Sequence, residues 1–202
     1  MIYSVKGILT YSEPNLAVIE CGGVGYMCQI PLSTYNRLAD IGKEEMLYTY
    51  MSVRQDAIDL FGFKTREEVN SFKLVTTVSG VGAKAGLSIL SEMTPEEIAL
   101  AIVAGDSKSF TKCSGIGNKI AARIVLELKD KFKNADITQA MQGSGKNSGA
   151  VATAGGAMAE AAAALVALGY SQSEAASALF SADKSLSTEE MIKYGLKALA
   201  MK

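Results

Sequence analysis

Histidine is absent from the 202 residues, which removes Ser-His-Asp and Cys-His nucleophile activation and the commonest metal ligand together. Catalysis would fall to carboxylates, lysine or a cofactor. Cysteine is sparse. Cys21, Cys28 and Cys113 form no CxxC pair and leave an odd one over, so neither a disulfide framework nor a thiolate zinc site is indicated, and buried free thiols are expected. No run of eighteen uncharged apolar residues occurs, and the opening MIYSVKGILTYSEP lacks the basic-then-apolar order of a signal peptide. A soluble, cytoplasmic chain with no membrane partner is expected.

What is present suits a folded protein: 49% of the residues are hydrophobic, enough for packed cores in one or two domains and a small extra module. The formal net charge of -1 argues weakly against nucleic acid, but the charge is organised by region. Residues 1–63 carry four Lys/Arg against seven Asp/Glu, residues 64–134 eleven against eight, and residues 135–202 five against six. Only the middle is net basic, so any phosphate-binding surface belongs there, with acidic flanks to repel DNA elsewhere.

Short β-rich stretches around Tyr3 to Tyr11, Leu16 to Cys21, Gly25 to Ile30 and Met46 to Val53 are broken by Glu13-Pro14-Asn15 and Gly22-Gly23. Five or so strands in residues 1–63 suit a small barrel of OB type, and an SH3-like barrel fits the pattern nearly as well. From Thr65 the spacing becomes helical. Thr65 and Glu68 can form a capping box, and Thr94-Pro95-Glu96-Glu97 should start a helix that Gly105 stops. Residues 135–156, with Gly143-Ser144-Gly145-Lys146-Asn147-Ser148-Gly149 at their centre, read as a flexible linker. Residues 157–202 return to helical spacing, broken at Gly169-Tyr170-Ser171 and Ser185-Leu186-Ser187, so a tethered module of three short helices is expected. The Ala-rich Ala159 to Ala164 favours helix by propensity alone.

The strongest feature is an internal repeat. Ser79-Gly80-Val81-Gly82-Ala83-Lys84 recurs thirty-five residues on as Ser114-Gly115-Ile116-Gly117-Asn118-Lys119, and Ile89-Leu90 keeps register with Ile124-Val125. Glycine, a buried apolar residue and glycine before a helix turn the chain tightly and leave backbone N–H groups pointing outward. With the positive helix end and Lys84 or Lys119 they make a phosphate cradle, and Arg123, one turn beyond Lys119, reaches for the next phosphate. Asn118 is the remaining polar side chain at the second mouth. Such contacts hold a duplex without reading bases, so binding should prefer shape over sequence and weaken steeply with salt. Neither glycine spacing matches a Walker or Rossmann loop.

These residues, with Gly22-Gly23-Val24-Gly25-Tyr26, Val53-Arg54-Gln55-Asp56-Ala57, Leu60-Phe61-Gly62-Phe63 and Leu165-Val166-Ala167-Leu168-Gly169-Tyr170, closely resemble the RuvA family of bacterial Holliday-junction branch-migration subunits, over nearly the whole chain. The resemblance implies an α+β multidomain fold. Residues 1–63 would be an OB-fold β-barrel and residues 64–134 an all-α domain with two helix-hairpin-helix motifs. The flexible linker and a three-helix, UBA-like C-terminal domain would follow. It implies a homotetramer on Holliday junction DNA, joined in part of the family by a second tetramer to make an octamer. The hexameric ATPase motor RuvB and the resolvase RuvC are the implied partners. ATP turnover belongs to the motor, so this chain would have no catalytic residues, metal or cofactor of its own.

The family also places a pair of acids near the fourfold centre, an acidic pin that repels phosphates at the crossover. Here the pair is Gln55-Asp56, so one carboxylate has become an amide and the local charge is halved. The alternative is that Asp56 merely caps a loop. Where the family often has a second basic residue in the later hairpin, this chain has Asn118. The resemblance puts Leu165, Leu168, Tyr170 and Leu196 against the motor, and all four serving as core is the alternative. Tyr48 and Tyr50 read as one strand face rather than a base-stacking platform.

Two other classes compete. A nuclease or glycosylase on the same hairpins needs carboxylates spaced for two metals or iron–sulfur cysteines, and neither pattern is present. A pure protein-interaction module with glycines for packing only would have no salt-dependent DNA affinity, and a generic duplex-binding repair protein would not distinguish a junction.

Overall fold

In the computed structural model, which describes residues 1–142, 157–183 and 185–200, the alternating N-terminal stretches become five strands. They are β1 (Ser4–Glu13), β2 (Leu16–Cys21), β3 (Val24–Gln29), β4 (Glu44–Val53) and β5 (Ile58–Phe63), with the short helix α1 (Leu32–Tyr35) between β3 and β4. They close a barrel in the order β1-β2-β3-β5-β4, antiparallel except where β3 meets β5 at Gln29 and Phe61. This is the OB arrangement, and it leaves no free sheet edge. A register shift between Leu9 and Tyr11 bends β1 around the closure. Gly7 permits the tight approach of β2, since a Cβ there would lie 2.0 Å from the Glu20 carbonyl oxygen.

Every second residue points in: Val5, Leu9, Ala17, Ile19, Cys28, Ile30, Leu47 and Leu60 fill the barrel. Cys28 is a buried thiol whose pKa burial pushes up to about 12. Cys113 is buried as well, whereas Cys21 stands half-exposed at the barrel rim with its thiol on the Lys6 carbonyl, so the expectation of three buried thiols holds for two.

β5 is apolar on both faces, and the second face has a cover. Phe61 and Phe63 lie against Phe72 of α2 (Arg66–Thr76), each with ring centroids 5.1 Å away, and they belong to the helical core rather than to the barrel's. Two ion pairs reinforce the joint: Lys64 to Glu45 at 2.7 Å and Arg37 to Glu68, with both carboxylates almost wholly buried.

The helices start where the capping chemistry puts them. Thr65 and Glu68 form a full capping box on α2. Thr94 and Glu97 form another on α4 (Pro95–Ala104), which ends at Gly105 with φ 77°. Around them lie α3 (Ala83–Glu92), α5 (Ser107–Thr111) and α6 (Asn118–Gln142). Helix α6 thus continues past residue 135, where the linker was expected to begin, and 143–156 lie outside the described residues.

The C-terminal part is the expected three helices, α7 (Ala157–Ala167), α8 (Gln172–Leu179) and α9 (Thr188–Ala200). Gly195 lets α9 close on α7 and α8, because a Cβ there would meet Leu165 at 2.7 Å and Leu179 at 3.2 Å. The module lies against the central helices, with α9 beside α4 and α7 beside α6 and α2. No helix among the described residues is long and apolar enough to cross a membrane.

Candidate nucleic-acid interface

The two glycine repeats fold into the same shape. In each, a helix ends and a tight turn carries the first glycine at positive φ, 91° for Gly80 and 81° for Gly115. The apolar centre then drops into the core, and a new helix begins at the second glycine. Val81 and Ile116 are each 4% exposed and donate their backbone N–H to Val78 and Cys113, at 3.0 and 3.1 Å. Their burial pins the turn, and the shared downstream register holds too, with Ile89, Leu90, Ile124 and Val125 all in one core.

The second glycines are the informative ones. Gly82 has φ -82° and ψ 177°, open to any residue, and a Cβ on Gly82 or Gly117 would meet nothing within 4 Å. Nothing inside the chain requires glycine there. Gly82 caps α3 without a side-chain hydrogen bond, so the first N–H groups of that helix face outward. Lys84, Asn118 and Lys119 are exposed beside these mouths, as are Gly80, Gly82, Gly115 and Gly117. Each mouth therefore offers bare backbone donors, a positive helix end and one lysine.

Arg123 joins the hairpins. Its guanidinium donates to the Ser79 carbonyl of the first hairpin at 3.3 Å and pairs with Glu127 at 3.1 Å. Lys131 likewise donates to the Thr77 hydroxyl. Sequence reasoning placed Arg123 on a phosphate, and here it spans the two motifs and sets their spacing.

Gln55 and Asp56 are exposed at the tip of the β4–β5 hairpin, which the Arg54 N–H closes onto the Ala57 carbonyl at 2.8 Å. Among the described residues Asp56 accepts no hydrogen bond and has no ion pair, so it caps nothing there. Arg54 and Asp59, which sequence reasoning passed over, are paired at 2.6 Å. Tyr48 and Tyr50 do share a strand face. Tyr50 packs on Phe61 and Phe72, and Tyr48 meets Tyr3 edge-on with the Arg66 guanidinium 5.5 Å from its ring.

Leu165, Leu168 and Leu196 are buried in the core that the module shares with the central helices. Tyr170 is half-buried facing a cleft bordered by Arg37, Glu67, Glu96 and Pro95. Burial first, and the nearby carboxylates of Glu67, Glu96 and Glu174 after it, raise its pKa. The large apolar side chains the module does expose are Phe180 and Tyr194. An exposed phenylalanine after a run of helical spacing is the signal that was available for the first. Among the described residues no three His, Cys, Asp or Glu side chains gather as metal ligands would.

Comparison with known proteins follows the same three-part division. Residues 1–62 match the RuvA N terminal domain, residues 72–130 the SAM-like helix-hairpin-helix tandem, and residues 156–200 the RuvA C-terminal domain. Three curated relatives are each named Holliday junction branch migration complex subunit RuvA. That of Acetivibrio thermocellus is 44% identical over 99% of both chains. That of Clostridium perfringens strain 13 is 42% identical over 96% of this chain and 97% of its own. That of Ruminiclostridium cellulolyticum is 38% identical over 98% of this chain and all of its own.

Proposed function

The chain belongs to the RuvA family, and from that premise we propose that it is the junction-holding subunit of a Holliday-junction branch-migration complex. Its division is a barrel over residues 1–63, a clamp over 64–134, a linker over 135–156 and a motor-facing module over 157–202. Four copies hold a four-way junction open and square, without reading sequence, and recruit a separate RuvB ATPase motor; RuvC joins the same assembly. The chain contributes grip and geometry, and ATP turnover belongs to the motor.

The observation that carries this reading is the pair of second glycines, Gly82 and Gly117, left bare where the chain itself has no use for the bareness. A phosphate oxygen that must reach the N–H groups of α3 and α6 supplies the use. Lys84 and Lys119 add one charge each, and Asn118 gives the second mouth a neutral donor. Gln55 and Asp56 form the pin at the crossover. Leu165, Leu168 and Leu196 shape the module from within, and Tyr170 stands at its surface toward the motor.

A titration of the full chain against a synthetic four-way junction and a linear duplex of the same sequence, at two salt concentrations, tests this. The junction should win strongly, and its advantage should fall with salt. Replacing Lys84 and Lys119 together with alanine should weaken binding at every sequence and flatten the log–log salt slope by about 2, at ~0.9 per lost phosphate. Equal affinity for both DNAs would reduce the protein to a generic duplex binder, and an unchanged slope would remove the lysines from the cradle.

A further inference from the structure

The tip of the β4–β5 hairpin carries an arginine beside its only acid, Arg54 and Asp56, with the neutral Gln55 between them. On charge alone the two would cancel, and a hairpin presented to phosphates would neither repel nor grip. The pairing two residues down the hairpin changes that. Asp59, opposite Ser52 on β5, takes the Arg54 guanidinium on Oδ2 at 2.6 Å. Its other oxygen, Oδ1, accepts from the Gln29 amide on β3 at 3.2 Å. Gln29 belongs to the barrel wall, so the carboxylate is aimed from the rigid side, and it is far less exposed than its partner, 23% against 62% for the side chains. The guanidinium is drawn back from the tip, where Asp56 stands exposed.

We propose that Asp59 is a positioning residue of the pin: it neutralises Arg54 and holds it toward the barrel, so that the tip stays negative although Gln55 has replaced a carboxylate. The inference rests on the pin reading of this hairpin given above. With Asp59 the hairpin from Val53 to Asp59 has one positive and two negative side chains; without it the count is one of each. At physiological salt charges beyond about 8 Å are screened, so the balance within the hairpin sets what a passing phosphate feels. Freed, Arg54 would turn from spectator to phosphate ligand, since its planar fork suits that role.

The experiment uses the full-length chain in four forms: Asp59→Asn, Arg54→Gln, the two combined, and Asp56→Asn. Two quantities are read, the salt slope of junction binding and the fluorescence of aminopurine placed at the crossover of the bound junction, which reports unpairing. Asp59→Asn should steepen the slope by about 0.9, the increment of one added phosphate contact, and lower the fluorescence. Arg54→Gln should leave the slope unmoved, and the double variant should return to it. A packing defect would not produce a steeper slope that a second substitution erases. An unshifted slope in Asp59→Asn, or a slope already flattened in Arg54→Gln, overturns the assignment. Asp56→Asn separates the two levels: unchanged fluorescence there defeats the pin reading itself, whereas lowered fluorescence with an unshifted Asp59→Asn slope defeats only the role of Asp59.

Discussion

At the scale of single residues, Gly82 and Gly117 show how a requirement imposed from outside is recognised. Gly80 and Gly115 are explained by the chain alone, because their positive φ disfavours any side chain. Their neighbours sit in open space, and Gly82 has ordinary dihedrals. Replacing Gly82 and Gly117 with alanine should therefore hardly disturb folding. Losing glycine at a helix cap costs a few tenths to about 1 kcal/mol, and restricting the unfolded chain returns about 0.4–1 kcal/mol. Junction affinity should nonetheless drop at least tenfold as the methyl groups stand where phosphates approach. Parallel denaturant melts and junction titrations of the double variant would check this, and an affinity equal to the parent's would mean that no ligand comes close.

Among the elements, the joint between barrel and helices depends on charges placed in a nearly dry setting. Burial by itself would raise the Glu45 carboxyl. Hydrogen bonds from the Lys64 ammonium and from the Ala39 and Met46 backbone N–H groups outweigh it and leave the pKa below its ordinary value of 4.5. A depressed folded-state pKa means stabilisation that is present above 4.5 and is lost as pH falls through the lower, folded value. The parent should thus lose stability below about pH 4.5, and Glu45→Gln should be less stable at neutral pH but flatter on the acid side, as melts across pH 3 to 7 would register. How much of these elements was legible in the sequence follows from how local the signals are. Thr65 with Glu68, Thr94 with Pro95, and the two glycine turns act within a few residues, and all formed where expected. The Asp59 arrangement needs Gln29, thirty residues away, and the Arg123 bridge needs Ser79, forty-four away, so neither has a local trace. Leu165, Leu168 and Leu196 were undecidable for another reason: a leucine on a helical stripe looks the same whether a core or a partner covers it.

For the molecule as a whole, the C-terminal module is held to the central helices by a shared core along α4, α6 and α2 and by the approach of Gly169 to Asn70. None of the hairpin mouths lies in that contact. Deleting 157–202 should accordingly leave junction affinity within about twofold, at most ~0.5 kcal/mol, while abolishing stimulation of the partner motor. Gel shifts and coupled ATPase assays on the truncated chain would measure both, and lost binding would mean that the module supports the clamp. The barrel behaves differently. Its second aromatic row, Phe61 and Phe63, finds its shelter in Phe72 of the next segment. A barrel cut free at residue 63 would carry a greasy stripe into water and tend to clump. A graft of this barrel onto another clamp would need α2 to travel with it: what looks like an interchangeable part is, at that seam, half of a fitted pair.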